Sequence, residues 1–289
     1  MFLSILGQQG GIIGGVGQAL AITFPLSDSG EAKNEILGKK VSLTIQLNEA
    51  KAERDFSKQK IATEKLTSLP ALPNSRDDLI WSIIITSFSI VLLINGKFSL
   101  IEKFCIILVS SFTLITILNL VALQSQDSWA IRMDDIIHGL SFSFPEVSNG
   151  SNPLLTAIAT FGIIGVGASE ILVYPYWCTE KGYGAFTGKR DRSADWLTRA
   201  QGWIRVMKWD AWGSMVVYTF CTIAFYLLGA SILGRSGLVP SGSEMIQTLS
   251  SMYRPVFGEW AQMIFLIGAV AVLFSTFFVA LAGQSRMAV

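Results

Sequence analysis

The chain has 289 residues, of which 51% are hydrophobic and 15% charged, with a formal net charge of +1. Ordinary soluble domains carry nearer about 25% charged residues, so a water-soluble globular protein is excluded, and the balanced charge offers nothing to nucleic acid or to a strongly charged partner. The single histidine, His138, and the dispersed Cys105, Cys178 and Cys221 form neither a zinc spacing nor a disulfide framework.

Met1–Ser27 is an uncharged run long enough to span a bilayer, which takes about 20 apolar residues. It lacks the basic start of a signal peptide. Its glycines, from Gly7 to Gly17, stand at small-xxx-small spacings that let helix backbones approach closely. Residues 27–76 then read as a charged extramembrane helical insertion between the first two spans. Asp28 or Ser29 caps it, and with Asp28 as the cap Glu31 sits at capping-box distance. Leu37, Val41 and Ile45 give a weak helical period, and Pro70 and Pro73 end it. No heptad is sustained, so the reading is a solvated helix or helical hairpin.

Leu79–Gly96 is the second span, and Phe104–Gln126 the third. The short turn with Lys97 and Lys103 makes them antiparallel neighbours. An acidic connection with Asp134, Asp135 and a solvated His138 follows. Pro153–Thr179 is the fourth span, Ala211–Gly234 the fifth and Trp260–Ser285 the sixth. The whole of 1–289 is expected to form one transmembrane bundle, an all-α polytopic membrane protein. Asp210 is expected to cap the fifth span, Asn119 to make an interhelical hydrogen bond, and Ser275 and Thr276 to bond back to their own helix. Tyr174, Tyr176 and Trp177 read as interface or packing aromatics. The basic loop from Lys181 to Lys208 and the Lys97–Lys103 turn fall on one side if the spans alternate, which places that side in the cytoplasm.

The fourth span raises the functional question. Gly162, Gly165 and Gly167 precede Glu170, and Pro175 follows it. Each glycine weakens a helix by about 1 kcal/mol relative to alanine, and Pro175 cannot donate to the Ile171 carbonyl. Glu170 lies only about 6 Å from the middle of the span if the segment is helical. A carboxylate at that depth costs about 2.5–3.5 kcal/mol on insertion scales. The expectation is a helix broken between Gly165 and Ile171, with freed carbonyls and one acid at mid-membrane, as in the discontinuous helices of secondary transporters. Two other readings stand beside it. One is a structural membrane protein with a kinked, glycine-packed helix. The other is an intramembrane enzyme using Glu170, which lacks a second acid, a histidine pair or a GxSxG element.

The stretch GVGASEILVYPYWCTEKGYG, with Gly202–Met207 after it, resembles a bacterial branch of the Nramp family, the natural resistance-associated macrophage protein divalent-metal transporters. FLIGAVAVLFSTFFVALAGQSR from Phe265, LGQQGGIIGGVGQALAITFP from Leu6 and the turn NGKFSLIEKF resemble it too. The resemblance implies a partial LeuT-like inverted-repeat bundle supplying the third to eighth helices of an eleven- or twelve-helix transporter, so that the chain is a piece of something longer. It implies a divalent cation of the Mn/Mg/Fe class as transported substrate and no cofactor. Protons are implied as the coupling ion, the lipid bilayer as surroundings, and the bacterial inner membrane as location. The family's DPGN motif is absent. Laid along the family's A-x-x-M-P-H motif, Val166 falls at the alanine, Ser169 at the methionine, Glu170 at the proline and Ile171 at the histidine. The expected metal-binding residues are Val166, Gly167, Ser169 and Glu170. Loss of the methionine sulfur leaves oxygen donors, which suit Mg²⁺ or Mn²⁺ better than soft metals, and relatives lacking that methionine look like magnesium transporters.

Overall fold

The computed structural model describes residues 2–94, 98–126, 129–141, 154–155, 157–158, 160, 168–240 and 242–287. Its α-helices are α1 Phe2–Thr23, α2 Asp28–Ala52, α3 Phe56–Thr67, α4 Asp77–Ile94, α5 Phe98–Leu123, α6 Met133–Gly139, α7 Ala168–Glu180, α8 Ala194–Leu228, α9 Met245–Ser250, α10 Arg254–Phe257 and α11 Ala261–Met287. No strand occurs among the described residues. Among the described residues, four stretches are long and apolar enough to cross a membrane: Asp77–Ile94, Ile106–Leu123, Ala194–Gly234 and Ala261–Ser285. α1 qualifies only as one arm of a pair with α2, bent by 94°. The chain is therefore an all-α polytopic membrane protein, and its described residues hold four or five candidate spans of the six expected over the whole chain. The remaining expected span, Pro153–Thr179, passes through residues 161–167, which lie outside the described residues.

The chain divides into two compact units. One comprises Leu6–Ala130 and Cys221–Ala280, the other Met1–Ile5, Ile131–Phe220 and Leu281–Val289.

In the first unit the chain leaves α1 and turns sharply into α2. Asp77, the buried first residue of α4, causes the turn. Its carboxylate accepts from the Leu26 and Ser27 backbone N–H groups at 2.8 and 3.1 Å and from the Ser27 hydroxyl at 2.7 Å. Ser27 so held becomes the N-cap of α2, accepting from the Gly30 N–H at 3.1 Å. The cap is therefore Ser27, not the expected Asp28 or Ser29, and Asp28 joins Glu31 in the first turn, where carboxylates favour the helix dipole.

α2 and α3 form the expected hairpin, but α2 is not the solvated helix its charges suggested. Leu37 is 2% exposed and Val41 7%. Val41 and the half-buried Ile45 join a core with Leu238, Ile246 and Met252, while Glu31, Glu35, Lys39 and Glu49 stay exposed. The weak period of Leu37, Val41 and Ile45 was thus a real apolar stripe, and it found an apolar partner.

That core is centred on aromatic rings. Phe112 of α5 lies 5.8 Å from Phe225 and 6.0 Å from Tyr253, and Tyr253 lies 5.4 Å from Phe265. The Phe112 ring occupies the space beside Gly268 of α11 that any side chain would need, since a Cβ there would come within 1.9 Å of it. Two hydrogen bonds in this interior join different elements. The Thr116 and Tyr253 hydroxyls are 2.7 Å apart, and the Asn119 amide donates to the Met252 carbonyl at 3.3 Å. Ser275 and Thr276 both bond back to Val272, as expected. Of the glycines in α1, Gly15 lies against Leu273 and Gly17 against the Asp78 carbonyl, whereas Gly7, Gly10, Gly11 and Gly14 face open space among the described residues.

α8 corrects a second expectation. It begins at Ala194, so Asp210 lies well inside the helix and caps nothing. The helix continues from Leu228 into a π-helical segment, Gly229–Gly234. At about 1.5 Å per residue the 41 residues of Ala194–Gly234 exceed the roughly 30 Å of hydrocarbon.

Candidate functional site

Val166 and Gly167 lie outside the described residues. Ser169 and Glu170 are placed by their backbone on α7, and their side chains lie outside the description. Ala168–Ile171 is α-helical, which leaves Gly165–Gly167 for the break expected between Gly165 and Ile171. The reason is local. The glycines all precede Ala168, and Pro175 deprives only the Ile171 carbonyl of its donor, which bends a helix without ending it. Gly165–Gly167 fall outside the described residues.

From Ile171 onward α7 is built for close packing. Val173 and Cys178 are buried. Gly283, near the end of α11, presses its backbone against this face; a Cβ there would lie 2.7 Å from Val173 Cγ1 and 3.2 Å from Trp177 Cζ2. One turn after Glu170, the Tyr174 hydroxyl donates to Asp210 Oδ2 of α8 at 3.4 Å. Farther along, the Tyr183 and Trp203 rings lie 5.6 Å apart. The two contacts, 174 with 210 and 183 with 203, run in opposite chain directions, so α7 and α8 are antiparallel over this length. Asp210 is half-buried there.

The connection between them turns on glycines in the left-handed region, Gly182, Gly184 and Gly188. Their conformations carry the chain back to α8, where the Trp196 indole N–H donates to the Gly188 carbonyl at 3.2 Å and Arg199 Nε to the Thr187 carbonyl at 3.3 Å.

Sequence reasoning missed the Tyr174–Asp210 pair. The signal available was the i, i+4 spacing of Glu170 and Tyr174, which puts them on one face of α7, together with an acid in the next helix beyond a short connection. A phenol and a carboxylate at this position can hold a proton or attract a cation. No group of three or more His, Cys, Asp or Glu residues that could hold a metal occurs among the described residues. His138 lies on the exposed α6, and Cys178 and Cys221 are free thiols.

Comparison with known proteins gives one family. Residues 56–288 match Nramp, described as Natural resistance-associated macrophage protein-like, a match that runs through α3 to α11 and includes the whole Gly162–Gly184 stretch. No curated protein and no solved structure matches the chain.

Proposed function

Because the chain belongs to the Nramp family, we propose that it moves a hard divalent cation, Mg²⁺ or Mn²⁺, across the bacterial inner membrane by alternating access. Members of the family transport divalent metal ions; they are not enzymes, and the metal is substrate, not cofactor. In this reading Val166 and Gly167 offer backbone carbonyls, and Ser169 and Glu170 offer oxygen side chains. Helices beyond this sequence supply the remaining ligands, and protons are the coupling ion. The single observation that carries the reading is a family match running through a span whose glycines, carboxylate and proline favour exposed carbonyls at mid-membrane.

The oxygen-only donor set makes a selectivity claim, since thioether sulfur draws softer metals. Ser169→Met restores sulfur at that position. The full transporter in liposomes should then take up Cd²⁺ faster relative to Mg²⁺. An unchanged Cd²⁺ to Mg²⁺ ratio would remove Ser169 from the site.

A further inference from the structure

α2 lies outside the family match, which begins at Phe56, yet it is fastened to the segment joining α8 to α11. Its two halves are held differently. The first half is rooted on α1 and α4: Ser27 and Leu26 bond the buried Asp77, and the Asn34 amide donates to the Ala21 carbonyl at 2.8 Å. The second half reaches the segment that follows α8 through polar contacts. Lys40 pairs with Glu244, and the Asn48 amide donates to the Ser236 carbonyl. Gly237, at φ +62°, lets the chain pass under Asn48; a Cβ there would lie 2.8 Å from Asn48 Nδ2. Gly38 meets Gln247 in the same way, a Cβ there lying 3.2 Å from its Nε2. Beneath this half, Ser236 is 3% exposed and Gln247 8%. These contacts fall just past the π-helical segment Gly229–Gly234, and π turns are frequent at functional sites.

We propose that α2 is a lid over the segment that follows α8, pivoting on its Ser27–Asp77 root. Closed, it covers Ser236, Gly237 and Gln247 and holds the π segment still. Opening parts Lys40 from Glu244 and Asn48 from the Ser236 carbonyl, draws Val41 and Ile45 from the core, and frees that segment to move during transport. The bend of 94° between α1 and α2 lays the lid across the bundle end when α1 crosses the bilayer upright. The coupling to transport rests on the function proposed above; the opening itself does not.

The test uses the full transporter in phosphatidylcholine vesicles, with its cysteines, Cys105, Cys178 and Cys221 among them, replaced by alanine and Ser236→Cys as reporter. A small water-soluble maleimide reads how often the lid opens. Lys40→Glu should raise the labelling rate, by up to about fivefold for an ion pair this exposed. Asn48→Ala should raise it as well, and the swap Lys40→Glu with Glu244→Lys should return it to the starting rate. Equal rates in the parent and in both single variants overturn the lid, as does a swap that labels as fast as Lys40→Glu alone. Amide hydrogen exchange over residues 236–250, with the natural Ser236, gives the same decision should the reporter disturb folding. Lys40→Cys with Glu244→Cys, joined by a cleavable bis-maleimide, then locks the lid. Mn²⁺ uptake should stop on joining and resume on cleavage, and uptake at the parent rate in the joined protein overturns the gating role. Absence of Mn²⁺ uptake in the parent itself would strike the transport reading, while the labelling and exchange rates still decide the lid.

Discussion

α2 alternates acids and lysines along its length and still buries Leu37, Val41 and Ala50. α8 between Ile204 and Phe220 is largely apolar, yet Ile204, Trp209, Trp212, Val217 and Phe220 are exposed, Trp209 at 73%. In water this contrast would be paradoxical. In a bilayer it is not, because lipid tails are as apolar as leucine and give no drive to hide an apolar helix face. A charged helix outside the hydrocarbon is still surrounded by water, and its few apolar residues gain by packing. Burial in this chain therefore reports contact between elements, while hydropathy reports the solvent each element meets.

The comparison breaks most easily at Leu37. Leu37→Ala should destabilise the folded protein by about 2–5 kcal/mol, the usual cost of emptying a buried leucine site. Thermal unfolding in detergent would show it, and a melting point unchanged from the parent would mean that α2 is packed only loosely. Tyr253→Phe keeps the ring among Phe112 and Phe265 and removes the hydroxyl facing Thr116. The expected loss is about 1 kcal/mol, read in the same melts. Ile204→Ala on the exposed face of α8 should change stability by less than about 0.5 kcal/mol. A loss as large as that of Leu37→Ala would show that this face is packed against protein.

A smaller effect sits at the corner between α2 and α3. Asp55 caps α3, accepting from the Ser57 and Lys58 N–H groups at 3.0 and 3.1 Å. The Lys58 N–H holds the Asp55 carboxyl below its ordinary value. A lowered carboxylate stabilises the folded form above its unfolded pKa of about 3.9 and loses that contribution as pH falls through the folded value. Amide exchange over residues 53–60 should therefore be flat from neutral pH down to about pH 4 and quicken only below it, once the acid dependence of intrinsic exchange is removed.

Much of the fold was legible because membrane spans announce themselves by length and apolarity. The expected Leu79–Gly96 and Trp260–Ser285 became Asp77–Ile94 and Ala261–Met287. Asn119, Ser275 and Thr276 made the hydrogen bonds expected of polar groups inside helical bundles. What was hidden depended on partners. The stripe of α2 is three residues long, too weak to distinguish from chance until Ile246 and Leu238 meet it. The first turns of α8 carry Arg199, Arg205 and Lys208, so the span seemed to start at Ala211, although the helix runs unbroken from Ala194. A span starting there makes Asp210 a cap, and its pairing with Tyr174 is legible only once α7 and α8 are known to run side by side. The family was legible from Gly165–Gly184 and Phe265–Arg286, where the glycines, the carboxylate and the small-residue packing stand at fixed spacings.

The central claim is that the Glu170 carboxylate serves a divalent cation. It is tested most directly by Mn²⁺ uptake into liposomes containing the full transporter, natural or Glu170→Gln, with thermal unfolding as the control for folding. The substitution keeps size and removes charge. The account predicts that uptake falls at least about tenfold, the effect of losing about 1.4 kcal/mol at the site, while the melting point holds or rises, since a carboxylate within a span is costly. Uptake at the natural rate, with a higher melting point, would contradict it and leave Glu170 a structural residue.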